Sequence, residues 1–145
     1  MHQPMTNGSR EITTYRLGVV DMRLLAATED TAGEFALGEF RGAAGPWTVP
    51  HVHRHSLEAF YILDGRFTFT VGREDRLVEA GALVVVPRDT RHVFQAEEDG
   101  GRLLVLWTPG GLEQMFVELS NLAPDALRDP EARKAIASRF DSIPS

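Results

Sequence analysis

Short runs in which apolar and polar residues alternate follow one another as far as residue 108, separated by glycine, proline and aspartate. Successive side chains of a β-strand point to opposite faces, so each run predicts a strand with one buried face. The predicted strands cover residues 12–16, 22–28, 34–41, 47–53, 59–64, 66–71, 82–86, 92–96 and 102–108. Short strands at regular intervals with turn residues between them indicate an all-β sandwich or barrel.

Turn-forming residues predict how neighbouring strands connect. Asp64-Gly65 lies between two alternating runs and predicts a β-hairpin. The acidic run 97–99, which two glycines follow, predicts a second, solvated hairpin tip. Residues 82–86 are apolar without alternation, and this pattern predicts a strand covered on both faces.

The periodicity changes after residue 111. Apolar residues three and four apart predict an amphipathic helix of about two turns, namely Leu112, Met115, Phe116 and Leu119. A turn-like segment, 121–127, precedes a second helix, which Asp129 as N-cap and Pro130 in the first turn predict. We expect both helices to cover an end or edge of the barrel; alternatively, Met115 and Phe116 close one mouth of a ligand cavity.

The length of 145 residues predicts one domain. We expect three parts: a loose tail over 1–11, a β-barrel over 12–108 and a helical extension over 109–145. The hydrophobic fraction of 43% and the charged fraction of 25% are those of an ordinary globular domain. The formal net charge of −6 argues against nucleic acid or an anionic membrane as a partner.

The chain contains no cysteine, which excludes disulfides and thiolate metal sites. The first ten residues lack the pattern of a signal peptide, and no apolar run has membrane-spanning length. A soluble cytoplasmic protein is therefore expected. His2, in the tail, is interpreted as incidental.

Four residues with metal-ligand chemistry lie in and beside the predicted strands. His51 and His53 are two apart, so both imidazoles project from one face of a strand. After a polar turn Glu58 opens the next strand, and His92 begins a strand that follows a proline-marked turn. Imidazole nitrogens and a carboxylate oxygen suit a borderline divalent metal. Burying all four side chains without a cation would cost desolvation free energy, so a bound metal ion is predicted.

Two alternatives remain open at this point. Taken alone, His51 and His53 are equally compatible with strand histidines that are hydrogen-bonded inside a barrel. His55 continues the alternation and is the one substitute ligand; we interpret it as a turn or rim residue.

The segment Gly45-x5-His51-x-His53-x4-Glu58-x6-Gly65 resembles the first motif of the cupin superfamily, position for position. The segment Gly81-x5-Pro87-x-Asp89-x2-His92 resembles the second motif, with two departures. Asp89 stands where the family has glycine, and Ala96 stands where it has the closing asparagine. Aspartate tolerates the left-handed backbone conformation, so the turn is expected to survive. All four ligand positions match, and the flanking strands extend the resemblance to roughly residues 12–108.

Within that superfamily the chain resembles small single-domain bacterial proteins of the quercetin 2,3-dioxygenase type. The resemblance implies an all-β double-stranded β-helix, or jelly-roll barrel, with a short C-terminal pair of α-helices. It implies one divalent metal ion per chain (iron, nickel, manganese, copper or zinc), held by His51, His53, Glu58 and His92. It also implies ring-opening oxidation of a small substrate, with Glu58 as the catalytic base, and a homodimer that pairs through strands near residues 12–28.

Strand parity predicts what surrounds the site. Trp47 and Val49 would face inward with the histidines, Phe60 and Ile62 with Glu58, and Phe94 with His92. The predicted substrate pocket consists of Trp47, Phe60, Phe94, Met115 and Phe116, which suits a planar, mostly apolar ligand. The alternative is that these side chains only fill a small barrel. Two other functions stay open: a non-catalytic binding module with a structural metal, and a metal-dependent isomerase.

Overall fold

The computed structural model describes residues 4–8 and 11–145. His2 and part of the predicted tail lie outside the described residues. Strands and helices are as follows: β1 Thr14–Leu17, β2 Val20–Ala26, β3 Ala36–Gly42, β4 Gly45–Pro46, β5 His51–Val52, β6 Leu57–Val71, β7 Glu74–Glu79, β8 Leu83–Val86, β9 His92–Thr108, α1 Glu113–Ser120, α2 Pro124–Leu127, α3 Pro130–Ala137 and β10 Ile143–Pro144. In this part of the chain, no helix combines the length and the apolar character needed to cross a membrane.

Two long strands, β6 and β9, form the backbone of the fold. They pair antiparallel from Leu57 opposite Thr108 to Val71 opposite His92. The first half of β6 also pairs with β8 and the second half with β7. On the far side of β9, its second half pairs with β3, which continues to β2 and β1, and its first half pairs with β4 and β5. This topology is the predicted all-β double-stranded β-helix.

The two predicted hairpins are wrong. Strand β6 runs through Asp64 and Gly65, and β9 runs through residues 97–100. Gly65 has φ +84° and lies opposite Gly101, where the register shifts, and a Cβ at Gly65 would collide with the carbonyl oxygen of Gly100. The residues that would make a hairpin turn instead bend each strand from one sheet into the other.

Two strand predictions are also corrected. Strand β8 is not covered on both faces, because Leu83 is 62% exposed and Val85 is 47% exposed, whereas Val86 is buried. The predicted strand 47–53 contains only β5, and Val49 is exposed rather than directed inward. Pro50, directly before β5, lacks the backbone N–H that a strand ladder needs, which explains the interruption.

The barrel interior is filled by aromatic and aliphatic side chains. Phe69 and Phe94 stack with ring centroids 4.8 Å apart, and Phe60 packs on both. The fully buried residues around them include Met22, Ile62, Phe67, Leu103, Val105 and Trp107. Phe60 and Phe94 lie two residues along their strands from Glu58 and His92, so this core adjoins the buried polar side chains.

The C-terminal segment packs against the barrel and then returns to the ligand-bearing strand. Helix α1 contacts β1 and β3, which agrees with the expectation that it covers an edge of the barrel. The predicted turn 121–127 contains the one-turn helix α2, which begins with Pro124 at the favourable first position. The final strand, β10, was not predicted; it pairs with β5, placing Ile143 opposite Val52 and Pro144 opposite His51.

Candidate metal centre

Three separate strands bring the four predicted ligands together. His51 lies in β5 opposite His92 at the start of β9, His53 follows β5 directly, and Glu58 lies near the start of β6. All four side chains are buried, and their ligand atoms lie within 4.8 Å of one another. The sequence spacing therefore corresponds to one compact group in three dimensions.

The donor atoms converge on a single point between the rings. The Nε2 atoms of His51 and His53 are 3.1 Å apart. Oε1 of Glu58 lies 2.9 Å from Nε2 of His92 and 3.4 Å from Nε2 of His53. Three imidazole nitrogens and one carboxylate oxygen thus face each other at short range.

Each histidine is fixed through its other ring nitrogen. Nδ1 of His51 donates to the Val49 carbonyl at 2.6 Å, and Nδ1 of His92 donates to the Thr90 carbonyl at 2.9 Å. Nδ1 of His53 donates to the Asp141 carbonyl at 2.6 Å. A carbonyl oxygen only accepts hydrogen bonds, so Nδ1 carries the proton and Nε2 of the neutral ring presents a lone pair.

This arrangement fits a cation. Three lone pairs and a carboxylate that point at one another repel unless positive charge lies between them. Without a metal, an additional proton on a histidine supplies that charge, and with a divalent metal the same four atoms become ligands. The donor set and the fixed ring tautomers therefore suit a bound metal ion.

The pKa values of the ligand side chains are shifted by burial and by their close approach to one another. Burial alone would raise the pKa of the Glu58 carboxyl, but hydrogen bonds from His53 and His92 hold that pKa well below its ordinary range. Burial, with the neighbouring His92, lowers the pKa of His51 to about 4. Burial also lowers the pKa of His53, but the Glu58 carboxylate outweighs it and leaves the pKa raised.

Trp107, which the sequence analysis did not single out, holds the second oxygen of Glu58. Its Nε1 donates to Oε2 at 2.7 Å, and β9 places the residue directly opposite Glu58. The Trp107 ring in turn stacks on Phe116 of α1, with centroids 5.5 Å apart. Trp107 alternates with Leu103 and Val105 along β9, and this pattern in the sequence could have predicted that its side chain faces the barrel interior.

Asp141, which lies just after α3, was also missed, and no local pattern marks it. Its carboxylate accepts from the backbone N–H groups of Arg54 and His55, at 2.8 and 2.9 Å, and from the Ser56 hydroxyl at 3.0 Å. Its backbone carbonyl accepts the Nδ1 proton of His53. Asp141 in the C-terminal segment therefore orders the whole turn between the two histidines and Glu58.

The turn residues of the two motifs have the expected positions. His55 is exposed and lies outside the ligand group, with its carbonyl accepting from Nε of Arg88 at 2.7 Å. Asp89 adopts φ +63°, as its tolerance of the left-handed region predicted, and its N–H donates to the His53 carbonyl at 2.7 Å. Ala96 is buried in the core opposite Phe67.

The predicted pocket residues belong to two neighbouring groups of packed side chains. Phe60 and Phe94 belong to the buried aromatic core, and Trp47 packs edge-on against Phe67 at 4.9 Å while its Nε1 donates to the Ala43 carbonyl. Met115 packs with Leu119 and Leu127 in a separate cluster. Phe116 packs against both groups and stacks on Trp107, and the pocket role of all five residues stays a prediction.

A double-stranded β-helix with a buried group of three histidines and one glutamate defines a barrel with a candidate metal centre. Residues 39–109 match the family model described as Cupin domain. Together with the two motifs and the fold, this match supports a cupin superfamily protein.

Two curated relatives are similar to the chain. A quercetin 2,3-dioxygenase of Bacillus subtilis (strain 168) is 27% identical over 121 residues, which cover 83% of this chain and 35% of the relative. A quercetin 2,3-dioxygenase of Aspergillus japonicus is 29% identical over 87 residues, which cover 57% of this chain and 25% of the relative. The chain thus spans about a third or less of the length of these relatives.

Solved structures with the same fold are more distant in sequence. An RmlC-like cupin from Shewanella frigidimarina has a TM-score of 0.65 at 19% identity, covering 77% of this chain and 96% of that one. KdgF from Halomonas sp. has a TM-score of 0.63 at 18% identity, with coverages of 79% and 99%. Pac13, a nucleoside dehydratase, has a TM-score of 0.60 at 15% identity, with coverages of 72% and 81%. At these identities the likeness establishes the fold alone.

Proposed function

We propose that this cupin is a metal-dependent dioxygenase-type enzyme that acts on a small, largely apolar substrate of the flavonol or aromatic class. The observation that carries the proposal is the convergence of three Nε2 atoms and Oε1 of Glu58 within 4.8 Å, with each Nδ1 atom tied to a carbonyl. The similarity to two quercetin 2,3-dioxygenases supports the reaction class.

His51, His53, Glu58 and His92 would hold one divalent ion. When bound, a redox-active ion at such a site supplies a Lewis-acid and electron-transfer centre with one or two positions free for reactants. Burial keeps His51 neutral at physiological pH, because its pKa is lowered to about 4, so its Nε2 lone pair is available without loss of a proton.

Glu58 is the residue we assign to proton transfer. Trp107 fixes one of its oxygens, and the other faces the histidines. Hydrogen bonds from His53 and His92 lower the pKa of Glu58 and keep the carboxylate ionised, so it can accept a proton from a substrate hydroxyl.

The first test measures metal content and oxygen consumption. Protein purified without chelators is analysed for bound elements, and oxygen uptake is followed after addition of quercetin under air. About one redox-active ion per chain, with quercetin-dependent oxygen uptake that Glu58→Gln reduces by at least about 10²-fold, is the expected result.

Other outcomes decide against the proposal. Stoichiometric zinc with no oxygen uptake would favour an isomerase or a binding protein, and the nucleoside dehydratase among the structural neighbours makes such redox-neutral chemistry a reasonable second screen. Absence of metal even after reconstitution with each candidate ion would refute the metal site itself. His55→Ala is the matched control, because His55 is an exposed histidine outside the ligand group.

A further inference from the structure

The two oxygens of the Glu58 carboxylate have different partners. Oε1 faces the histidines, 2.9 Å from Nε2 of His92 and 3.4 Å from Nε2 of His53. Oε2 accepts the indole N–H of Trp107 at 2.7 Å. An indole N–H can only donate, and a hydrogen bond to a carboxylate is among the stronger ones in proteins. One oxygen is therefore held by a protein donor, while the other is directed at the ligand group.

The indole of Trp107 lies in a recess of the barrel wall that fits it. Trp107 is fully buried, and Ala36 of β3 is its cross-strand partner. Gly38 leaves room for the six-membered part of the ring, because a Cβ at Gly38 would lie 3.3 Å from Cη2 of Trp107. Phe40 packs edge-on against the indole, with centroids 6.1 Å apart. Two small residues and one aromatic residue at alternate positions of β3 thus fix where the N–H points.

Helix α1 closes the open side of this recess. Phe116 stacks on Trp107, with centroids 5.5 Å apart and ring planes 29° apart. The start of the helix is anchored by Glu113, a fully buried carboxylate that accepts from the N–H and the hydroxyl of Thr28 at 2.7 and 2.6 Å. Glu113 also accepts from the N–H of Gly111 at 2.8 Å. The helix therefore does more than cover an edge, because it holds the donor that holds Glu58.

The fixed indole restricts what Glu58 can offer a cation. A carboxylate can bind a metal ion through one oxygen or through both. To bind through both, the Glu58 carboxylate would have to bring Oε2 towards the histidine nitrogens and lengthen its bond to Trp107. A buried donor that loses its partner has no water to replace it, so this movement costs free energy.

We propose that Trp107 is a positioning residue that limits Glu58 to one-oxygen binding of the metal ion. A second carboxylate oxygen would occupy one of the positions that a reactant needs, so the indole N–H keeps that position free. The proposal rests on the metal site of the proposed function and deepens it, since it names the residue that preserves the open position. It holds for any reaction that needs this position, whether or not dioxygen takes part.

The test uses Co²⁺ as the probe ion, because its visible absorption weakens as the number of ligands rises. Wild-type protein and Trp107→Phe are loaded with Co²⁺ and titrated with azide, a small anion that binds at a free coordination position. Phenylalanine keeps an aromatic ring in the recess but removes the N–H. We expect the variant to bind about one Co²⁺ per chain, with weaker visible bands and an azide dissociation constant raised at least about tenfold.

Trp47→Phe is the matched control for the Co²⁺ spectrum. Trp47 also donates its indole N–H, but to the Ala43 carbonyl at 2.8 Å, outside the ligand group. The control concerns the spectrum alone, because Trp47 is one of the predicted pocket residues. Its Co²⁺ spectrum should equal that of the wild type. A Trp107→Phe protein with the wild-type spectrum and the wild-type azide affinity would overturn the proposal.

The indole N–H resonances give a second measurement that requires no change at Trp107. The chain has two tryptophans, so in ¹⁵N-labelled Trp47→Phe the remaining indole resonance belongs to Trp107. This proton should keep the downfield chemical shift of a hydrogen-bonded indole when Zn²⁺ binds. Movement to the shift of a free indole on addition of Zn²⁺ would show that Oε2 has left Trp107, contrary to the proposal.

The outcomes separate this proposal from the oxygenase activity. The expected Co²⁺ and Zn²⁺ results without quercetin-dependent oxygen uptake would support the role of Trp107 and refute the oxygenase. Oxygen uptake by a protein whose Co²⁺ spectrum does not respond to Trp107→Phe would refute the role of Trp107 alone. A wild-type protein that binds neither ion would refute both.

Discussion

At the scale of single residues, the candidate centre depends on hydrogen bonds that its ligands make away from one another. Three backbone carbonyls fix the tautomers of His51, His53 and His92, and Trp107 holds the far oxygen of Glu58. The ligands are therefore already oriented before an ion binds, which reduces the entropy that binding must overcome.

His92→Ala should lower both metal content and stability more than His55→Ala. His92 is 1% exposed and interacts with both Glu58 and the Thr90 carbonyl, whereas His55 is exposed. We expect near-complete loss of metal and about 2–3 kcal/mol of unfolding free energy for His92→Ala, and a change within about 0.5 kcal/mol for His55→Ala. Elemental analysis and urea unfolding measure the two effects. Equal effects of the two substitutions would mean that the fourth ligand has been assigned wrongly.

At the scale of elements, the C-terminal segment is part of the site although it lies far from it in sequence. Strand β10 pairs with the ligand-bearing β5, and Asp141 accepts three hydrogen bonds from the turn that separates His53 from Glu58. Together these contacts hold the position of two ligands relative to the barrel.

Asp141→Ala should weaken metal binding about tenfold, because loss of partners outside the ligand set typically has effects of this size. Asp141→Asn should recover part of the affinity, since its amide oxygen can still accept one of the backbone bonds. The measurement is competition with a chromophoric chelator. Asp129→Ala is the control: Asp129 also accepts a backbone N–H, from Glu131 at 3.1 Å, but it caps α3. Both alanine variants should lose about 1 kcal/mol of stability, and equal metal affinities for the two would contradict the assigned role.

At the scale of the whole molecule, an ion bound at the candidate centre would couple metal binding to stability. Any ion that binds only the folded chain raises the unfolding free energy, by about 2.7 kcal/mol when its free concentration is a hundred times the dissociation constant. The ligands come from β5, β6 and β9, so the ion would connect strands across the barrel.

Removal of metal by dialysis against a chelator should therefore lower the thermal unfolding midpoint by roughly 6–10 °C for a domain of this size. Restoring the ion should reverse the change. The same treatment should leave the midpoint of His92→Ala almost unaffected, because that variant no longer holds the ion. An unchanged wild-type midpoint after complete removal of metal would show that the ion does not stabilise the fold.

The sequence by itself determined the chemistry of the site and the class of the fold. Alternation of apolar residues depends on local backbone geometry, so it indicated most of the strands. The four ligands could be recognised from their spacing because that spacing depends only on local strand and turn geometry. The backbone of Asp89 likewise adopts the left-handed conformation that its residue type tolerates.

Features that depend on contacts between residues distant along the chain were visible only in the tertiary structure. Local turn residues could not show that Gly65 bends β6 instead of reversing it, because that choice rests on pairing with β9. Local sequence patterns also could not show that Trp107 hydrogen-bonds Glu58 or that Asp141 hydrogen-bonds His53, because those contacts join residues tens of positions apart. The unbroken apolar run in β8 predicted a strand covered on both faces. The structure shows that the core covers only its inner face. The sequence could not show this, because the neighbours of a strand are set by the fold and not by its own periodicity.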